Sequence, residues 1–159
     1  MSNISKDSET AFHAAHAGIE CARLHDLSSN PTPYQVTSYQ QLSNPHLRVP
    51  CMGANTSLTV RDINNESDDL TAAPHYKALY QYEYDWAGLC SSVSVYKYYE
   101  SRGDDGNDNG PDRSGEVHGL NKLCPEGSIC TIIKSRGYSD TCDNIDLPGT
   151  IEREVVSIY

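Results

Sequence analysis

Apolar and polar positions along this chain follow two periods, one after the other. Between residues 8 and 25, Phe12, Ala15, Ile19 and Ala22 recur at spacings of 3, 4 and 3. That spacing gathers them into one stripe along a helix. Ser8 is suited to cap the start and Glu9 to sit in the first turn, while Gly18 weakens the interior. The sequence therefore predicts a helix over 8–25, behind a flexible stretch at 1–7, with Cys21 near its end.

After Pro31 the period falls to two, in short runs between turn residues. Tyr34–Gln41 reads as extended. Leu47–Met52 contains Pro50, which cannot donate to a ladder, so it reads as an edge strand or a loop. Leu58 and Val60 alternate with Thr59 and Arg61 as in a half-buried strand, and the polar stretch 62–74 reads as a loop. The clearest strand spans 76–86. Tyr80, Tyr82, Tyr84 and Trp86 alternate there with Gln81, Glu83 and Asp85, so the aromatic rings share one face. Ala87-Gly88 is placed to turn the chain. Over 89–99, Leu89, Val93 and Val95 stand against Ser92, Ser94, Tyr96 and Tyr98. Further strands are expected at about Ser128–Lys134, through Cys130, and over 150–158, where Ile151 and Val155 flank Arg153. The pattern predicts one domain over 1–159, all-β with one N-terminal helix: a mostly antiparallel barrel or sandwich. Its β body covers 34–100 and 117–159.

Between those two parts, residues 101–116 form a polar, acidic run that reads as an exposed loop. Asp105, Asn107, Asn109, Gly110 and Glu116 fit the calcium-loop pattern. The surroundings do not, since an EF-hand needs flanking helices and Ser92–Tyr99 reads as a strand. Asp112 also stands where such loops usually carry an apolar residue. No bound metal or other cofactor is expected. Arg102-Gly103-Asp104 matches the tripeptide of integrin ligands, on a loop able to present it.

Composition changes the picture in one respect above all. Apolar residues make up 37% of the chain, with 1 Phe and 11 Tyr, so the core is thin and rich in hydroxyls. Six cysteines, Cys21, Cys51, Cys90, Cys124, Cys130 and Cys142, are scattered along it, with no C-x-x-C pair. An even set without zinc spacing reads as three disulfides that make up for the thin core, and hence as an extracellular protein. The pairing is open, although Cys130 and Cys142 are near enough in sequence to suggest a local bridge. Sequons at Asn3, Asn55 and Asn65 agree with secretion, and the expectation is a mature chain whose leader has been removed. A formal charge of -10 disfavours nucleic acid and anionic membranes as partners, and no apolar run is long enough to insert into a membrane.

Candidate chemistry is sparse. His13 and His16, with Glu20, could approach a metal on the helix, but pairs of this kind are common on exposed helical faces. Glu83, Glu100, Glu152 and Glu154 lie in strand-like contexts. Small secreted fungal ribonucleases of the T1 type combine an N-terminal helix, tyrosines, disulfides and acidic charge, and use a His, a Glu, an Arg and a second His on one sheet. The chain is similar in placing Pro74-His75-Tyr76, Tyr99-Glu100, Asp112-Arg113 and His118 in that order. It departs in setting Arg113 and His118 together in a loop. A secreted hydrolase, most specifically a T1-like ribonuclease, is therefore the alternative reading, and a calcium-stiffened extracellular structural protein a second one.

The length, the six cysteines and the segment Tyr84-Asp85-Trp86-Ala87-Gly88-Leu89-Cys90 resemble the small cysteine-rich secreted effectors of plant-pathogenic fungi, in particular the necrotrophic effectors or host-selective toxins. Arg102-Gly103-Asp104 is similar to a tripeptide in one member of that class. The resemblance implies a disulfide-stabilised β-rich fold, no catalysis, and virulence through binding a host protein and provoking cell death. A monomer is expected, binding through that tripeptide and through Tyr96, Tyr98 and Tyr99 on the face of their strand opposite Val93 and Val95.

Overall fold

The computed structural model describes residues 3–28, 34, 48–62, 76–99 and 129–159. A helix, α1 (Asn3–Ser28), is followed by a two-stranded antiparallel sheet, β1 (Arg48–Cys51) with β2 (Ala54–Ser57). Then come β3 (Thr59–Asp62), β4 (Tyr76–Trp86), β5 (Leu89–Tyr99), β6 (Ile129–Tyr138) and β7 (Glu152–Ile158). These five form one antiparallel sheet in the order β3-β4-β5-β6-β7, each strand beside its neighbour in sequence. Among the described residues the expected barrel or sandwich is not formed. The sheet is an open meander, and a helix covers one of its faces. Pro50 lies on the exposed side of β1, in agreement with an edge position.

The helix begins at Asn3, so residues 3–7 are helical rather than loose. Its buried side also differs from the expected stripe. Ala11, Ala14, Ala15, Ile19 and Ala22 are buried, whereas Phe12 is 44% exposed. The cause is closeness. A Cβ added to Gly137 of β6 would collide with the backbone of Ala11 and Ala15, and one added to Gly18 would meet the Ser135 side chain. Only small residues fit between these elements, so a phenyl ring cannot face the sheet there. The Ser91 hydroxyl donates to the Ala14 carbonyl at 2.7 Å, a further sign of contact without a spacer layer. Gly137, Ser135 and Thr131 meet α1 at Ala11–Ala15, at Gly18 and at Asp26 in turn, so the helix lies along β6.

At its far end the helix is tied down by charge. Lys97 Nζ donates to both oxygens of Asp26, at 2.5 and 2.6 Å, and to Thr131 Oγ1 at 2.6 Å. The Tyr159 hydroxyl donates to Asp26 at 2.8 Å. Both side chains of the ion pair are nearly inaccessible, at 8% and 5%. Burial lowers the Lys97 pKa, and Asp26 opposes that shift.

The expected aromatic face of β4 is present. Tyr80, Tyr82 and Tyr84 are buried with Tyr34, Val93, Val95 and Ile133, and Trp86 packs partly against them. The Tyr34 hydroxyl donates to that of Tyr82 at 3.0 Å. Burial is the main cause of the raised pKa of all four tyrosines. Ala87 and Gly88 make the turn with φ of 52° and 79°, the left-handed geometry that a two-residue hairpin loop requires. The strands expected near 58–61, 128–134 and 150–158 all occur, and β6 extends to Tyr138.

Two disulfides join described cysteines. Cys21–Cys51 fastens α1 to β1 across a Cα separation of 5.8 Å, and Cys90–Cys142 fastens β5 to a short 3-10 turn, Cys142–Asn144, across 4.7 Å. No described cysteine is a free thiol. The suggested Cys130–Cys142 bridge is therefore incorrect. Cys90 pairs in register with Tyr138, the last residue of β6, so the chain leaving that strand returns over it. Cys130 lies eight residues earlier, roughly 26 Å along the strand.

Candidate functional site

One face of the large sheet has no helix on it. Register alone decides what stands there, because residues paired across antiparallel strands point to the same side. Asp85, Cys90, Tyr138 and Glu152 form a first row. Glu83, Ser92, Arg136 and Glu154 form the next, followed by Gln81, Ser94, Lys134 and Val156. A fourth row of Leu79, Tyr96, Ile132 and Ile158 makes a small apolar cluster. The segment after β6 bounds the first row, where the Cys142 amide donates to Asp85 at 2.7 Å beside the Cys90–Cys142 bridge.

The middle rows are a ladder of paired polar groups. Ser92 donates to Glu83 at 2.9 Å, and Gln81 to Ser94 at 3.3 Å. Arg136 Nε donates to Glu154 at 3.0 Å, with Lys134 Nζ 3.1 Å from the same oxygen. Glu152 lies 3.7 Å from Arg136. Partial burial alone would raise the Glu154 pKa, but its bonds to Arg136 and Lys134 outweigh this and hold it below the usual carboxylate range. The bond to Glu154 is likewise the chief reason the Arg136 guanidinium holds its proton more tightly than usual. Lys134 and Arg136 are thus both engaged by carboxylates. Glu83 and Arg136 flank Ser92 in one row, roughly 10 Å apart across two strand spacings.

The sequence-derived candidates fare unevenly. Tyr96 does lie on the face opposite Val93 and Val95, but it is 4% exposed and packs with Ile132, so it is a core residue rather than a presented one. Tyr98 and Tyr99 occupy β5 in register with Cys130 and Ile129. Arg102, Gly103 and Asp104, the calcium-loop positions Asp105, Asn107, Asn109 and Glu116, and the ribonuclease-like set His75, Glu100, Arg113 and His118 all lie outside the described residues, as do Cys124 and the sequon at Asn65. His13 and His16 are exposed on α1, where Glu9 lies 3.8 Å from His13 and Glu20 lies 3.6 Å from Arg23. Two clusters of ligand type, Cys21/His25/Cys51 and Asp85/Cys90/Cys142, each contain a cysteine pair that is already a disulfide, so they offer no thiolate. Among the described residues no helix is long and apolar enough to cross a membrane. Sequence reasoning named Glu83, Glu152 and Glu154 but missed Lys134 and Arg136. Their parity on β6 was the available signal, once the strand was carried past Lys134.

No protein-family model, no curated protein and no solved structure matches the chain.

Proposed function

We propose that this chain is a secreted, disulfide-braced effector or toxin that acts by binding a host protein and provoking a cell-death or susceptibility response, without catalysis. The observation that carries this reading is the bracing. Two disulfides clamp α1 to β1 and the segment after β6 back to β5, holding a sheet whose helix-free face is a ladder of paired charges. Charges already paired on a rigid face offer complementarity to a partner surface and little drive for proton transfer. Cys124 and Cys130 are assigned to a third bridge, as the pair left when the other two have formed. The oxidised protein infiltrated into susceptible host tissue is expected to cause cell death, and the reduced, alkylated protein to cause none. Equal responses to both would overturn this reading.

A secreted hydrolase of ribonuclease type is the second reading, favoured by Glu83 and Arg136 on one row of one sheet face. Against it, Glu154 holds Arg136, and a chain of formal charge -10 is a poor field for a phosphodiester. RNA hydrolysis by the purified chain that is lost in Glu83→Gln would establish this second reading and remove the first.

A further inference from the structure

The outer edge of β7 carries no strand among the described residues. Thr131 and Tyr159 exchange both backbone hydrogen bonds, at 2.9 and 3.1 Å, and the Ser139 amide donates to the Ile151 carbonyl at 3.0 Å. Bonded pairs alternate along an antiparallel ladder. Arg153, Val155 and Ser157 therefore bond inward to β6. Glu152, Glu154, Val156 and Ile158 turn their N–H and C=O groups to the outside. Among the described residues no strand pairs with that side, and Glu152, Arg153, Glu154 and Val156 are exposed, Val156 at 38%. Natural edge strands are commonly blunted by charged side chains, proline, bulges or brevity. β7 has seven residues, no proline and an unbroken register with β6, and its charged residues are confined to Glu152, Arg153 and Glu154.

The side chains that share this edge are graded. On the helix-free face, Ile158 and Val156 occupy one half, and Glu154 and Glu152 the other. The chain carries a formal charge of -10, and Glu152 and Glu154 stand on this face of the edge strand itself. A second copy pairing antiparallel here would bring two acidic molecules together and set Glu152 and Glu154 against aliphatic side chains. We propose instead that β7 takes an extended segment of a basic partner protein as a sixth, antiparallel strand. Every second residue of that segment would face Ile158, Val156, Glu154 and Glu152 in turn, so its order is aliphatic, aliphatic, basic, basic. Main-chain bonds supply affinity, and the alternate side chains supply register and direction. This names the contact surface for the binding function above and rests on that reading. The cell-death assay reports on the reading, and a binding assay on the edge alone.

The test uses the whole oxidised chain and a labelled synthetic peptide reading Val, Thr, Val, Thr, Lys, Thr, Lys, with binding followed by fluorescence anisotropy. The expected result is saturable binding, weakened by rising salt. At least about a tenfold loss is expected for the reversed sequence, for the peptide with Glu in place of Lys, and for a peptide N-methylated at alternate amides. Val156→Pro removes one outward donor and leaves the inward ladder to β6 intact, so it should cost a similar factor while melting and circular dichroism stay native. Should that variant not fold, Glu152→Lys changes one exposed side chain and is expected to shift preference toward the Glu-bearing peptide. Binding unaffected by N-methylation, by Val156→Pro or by Glu152→Lys overturns the proposal. So does the absence of binding by any of these peptides, or concentration-dependent dimerisation through β7 in their absence.

Discussion

Gly137 shows how narrowly the helix–sheet contact is set. It lies beneath the backbone of Ala11 and Ala15, and no side chain there can swing aside to admit a methyl group. Gly137→Ala is expected to lower stability by about 3 kcal/mol, through forced separation of α1 from β6. The shift in urea midpoint measures it, and an unchanged midpoint would show that the helix sits further out. The same closeness accounts for Phe12. At 44% exposure it lies on the outer side of α1 beside His16, with ring centroids 4.7 Å apart, while alanines take the inner side.

Among the elements, the contact of α1 with β5 and β6 rests on a buried ion pair as well as on small residues. Asp26→Ala would leave the Lys97 ammonium inside with only Thr131, among the described residues, to accept from it, at a cost of about 3–5 kcal/mol. Replacing both partners by apolar residues, Asp26→Leu with Lys97→Met, is expected to cost far less, because no charge is then stranded. A double variant as unstable as Asp26→Ala would contradict this; thermal melts of the three variants decide it. Legibility in the sequence followed period. β4 was plain because its tyrosines alternate, and those residues do form the buried face. The turn at Ala87-Gly88 and the strands β3, β5 and β7 were also readable. The helix was legible as an element but not in its orientation, since Ala, Gly and Ser contribute little to an apolar stripe and reveal close approach only when the partner strand is known. The helix-free face could not be read at all until register set Glu83, Ser92, Arg136 and Glu154 in one row, because such a row depends on four separate strands. Cys90–Cys142 was hidden for the same reason: sequence distance favoured Cys130, whereas β6 carries Cys130 to the far end.

For the molecule as a whole, the thin tyrosine core leaves a mark on its response to alkali. Burial is the first cause of the raised pKa of Tyr34, Tyr80, Tyr82, Tyr84, Tyr96, Tyr138 and Tyr159. A phenol that ionises later in the folded state than in the unfolded one lends stability that is complete below the unfolded pKa of about 10 and is lost as pH rises beyond it. Absorbance titration at about 295 nm should therefore show these seven tyrosines ionising only together with cooperative alkaline unfolding. Simple titration of all of them near pH 10, with the fold retained, would contradict the burial described here.

The disulfides hold this molecule most directly, and the proposed extracellular setting rests on them. Counting thiols in the native chain, paired with melting in the presence and absence of reductant, is therefore the decisive measurement. The expected result is no free thiol and a cooperative melt that falls steeply or disappears once Cys21–Cys51 and Cys90–Cys142 are reduced. Free thiols at those four positions, with melting indifferent to reductant, would contradict both the braced scaffold and the extracellular role built on it.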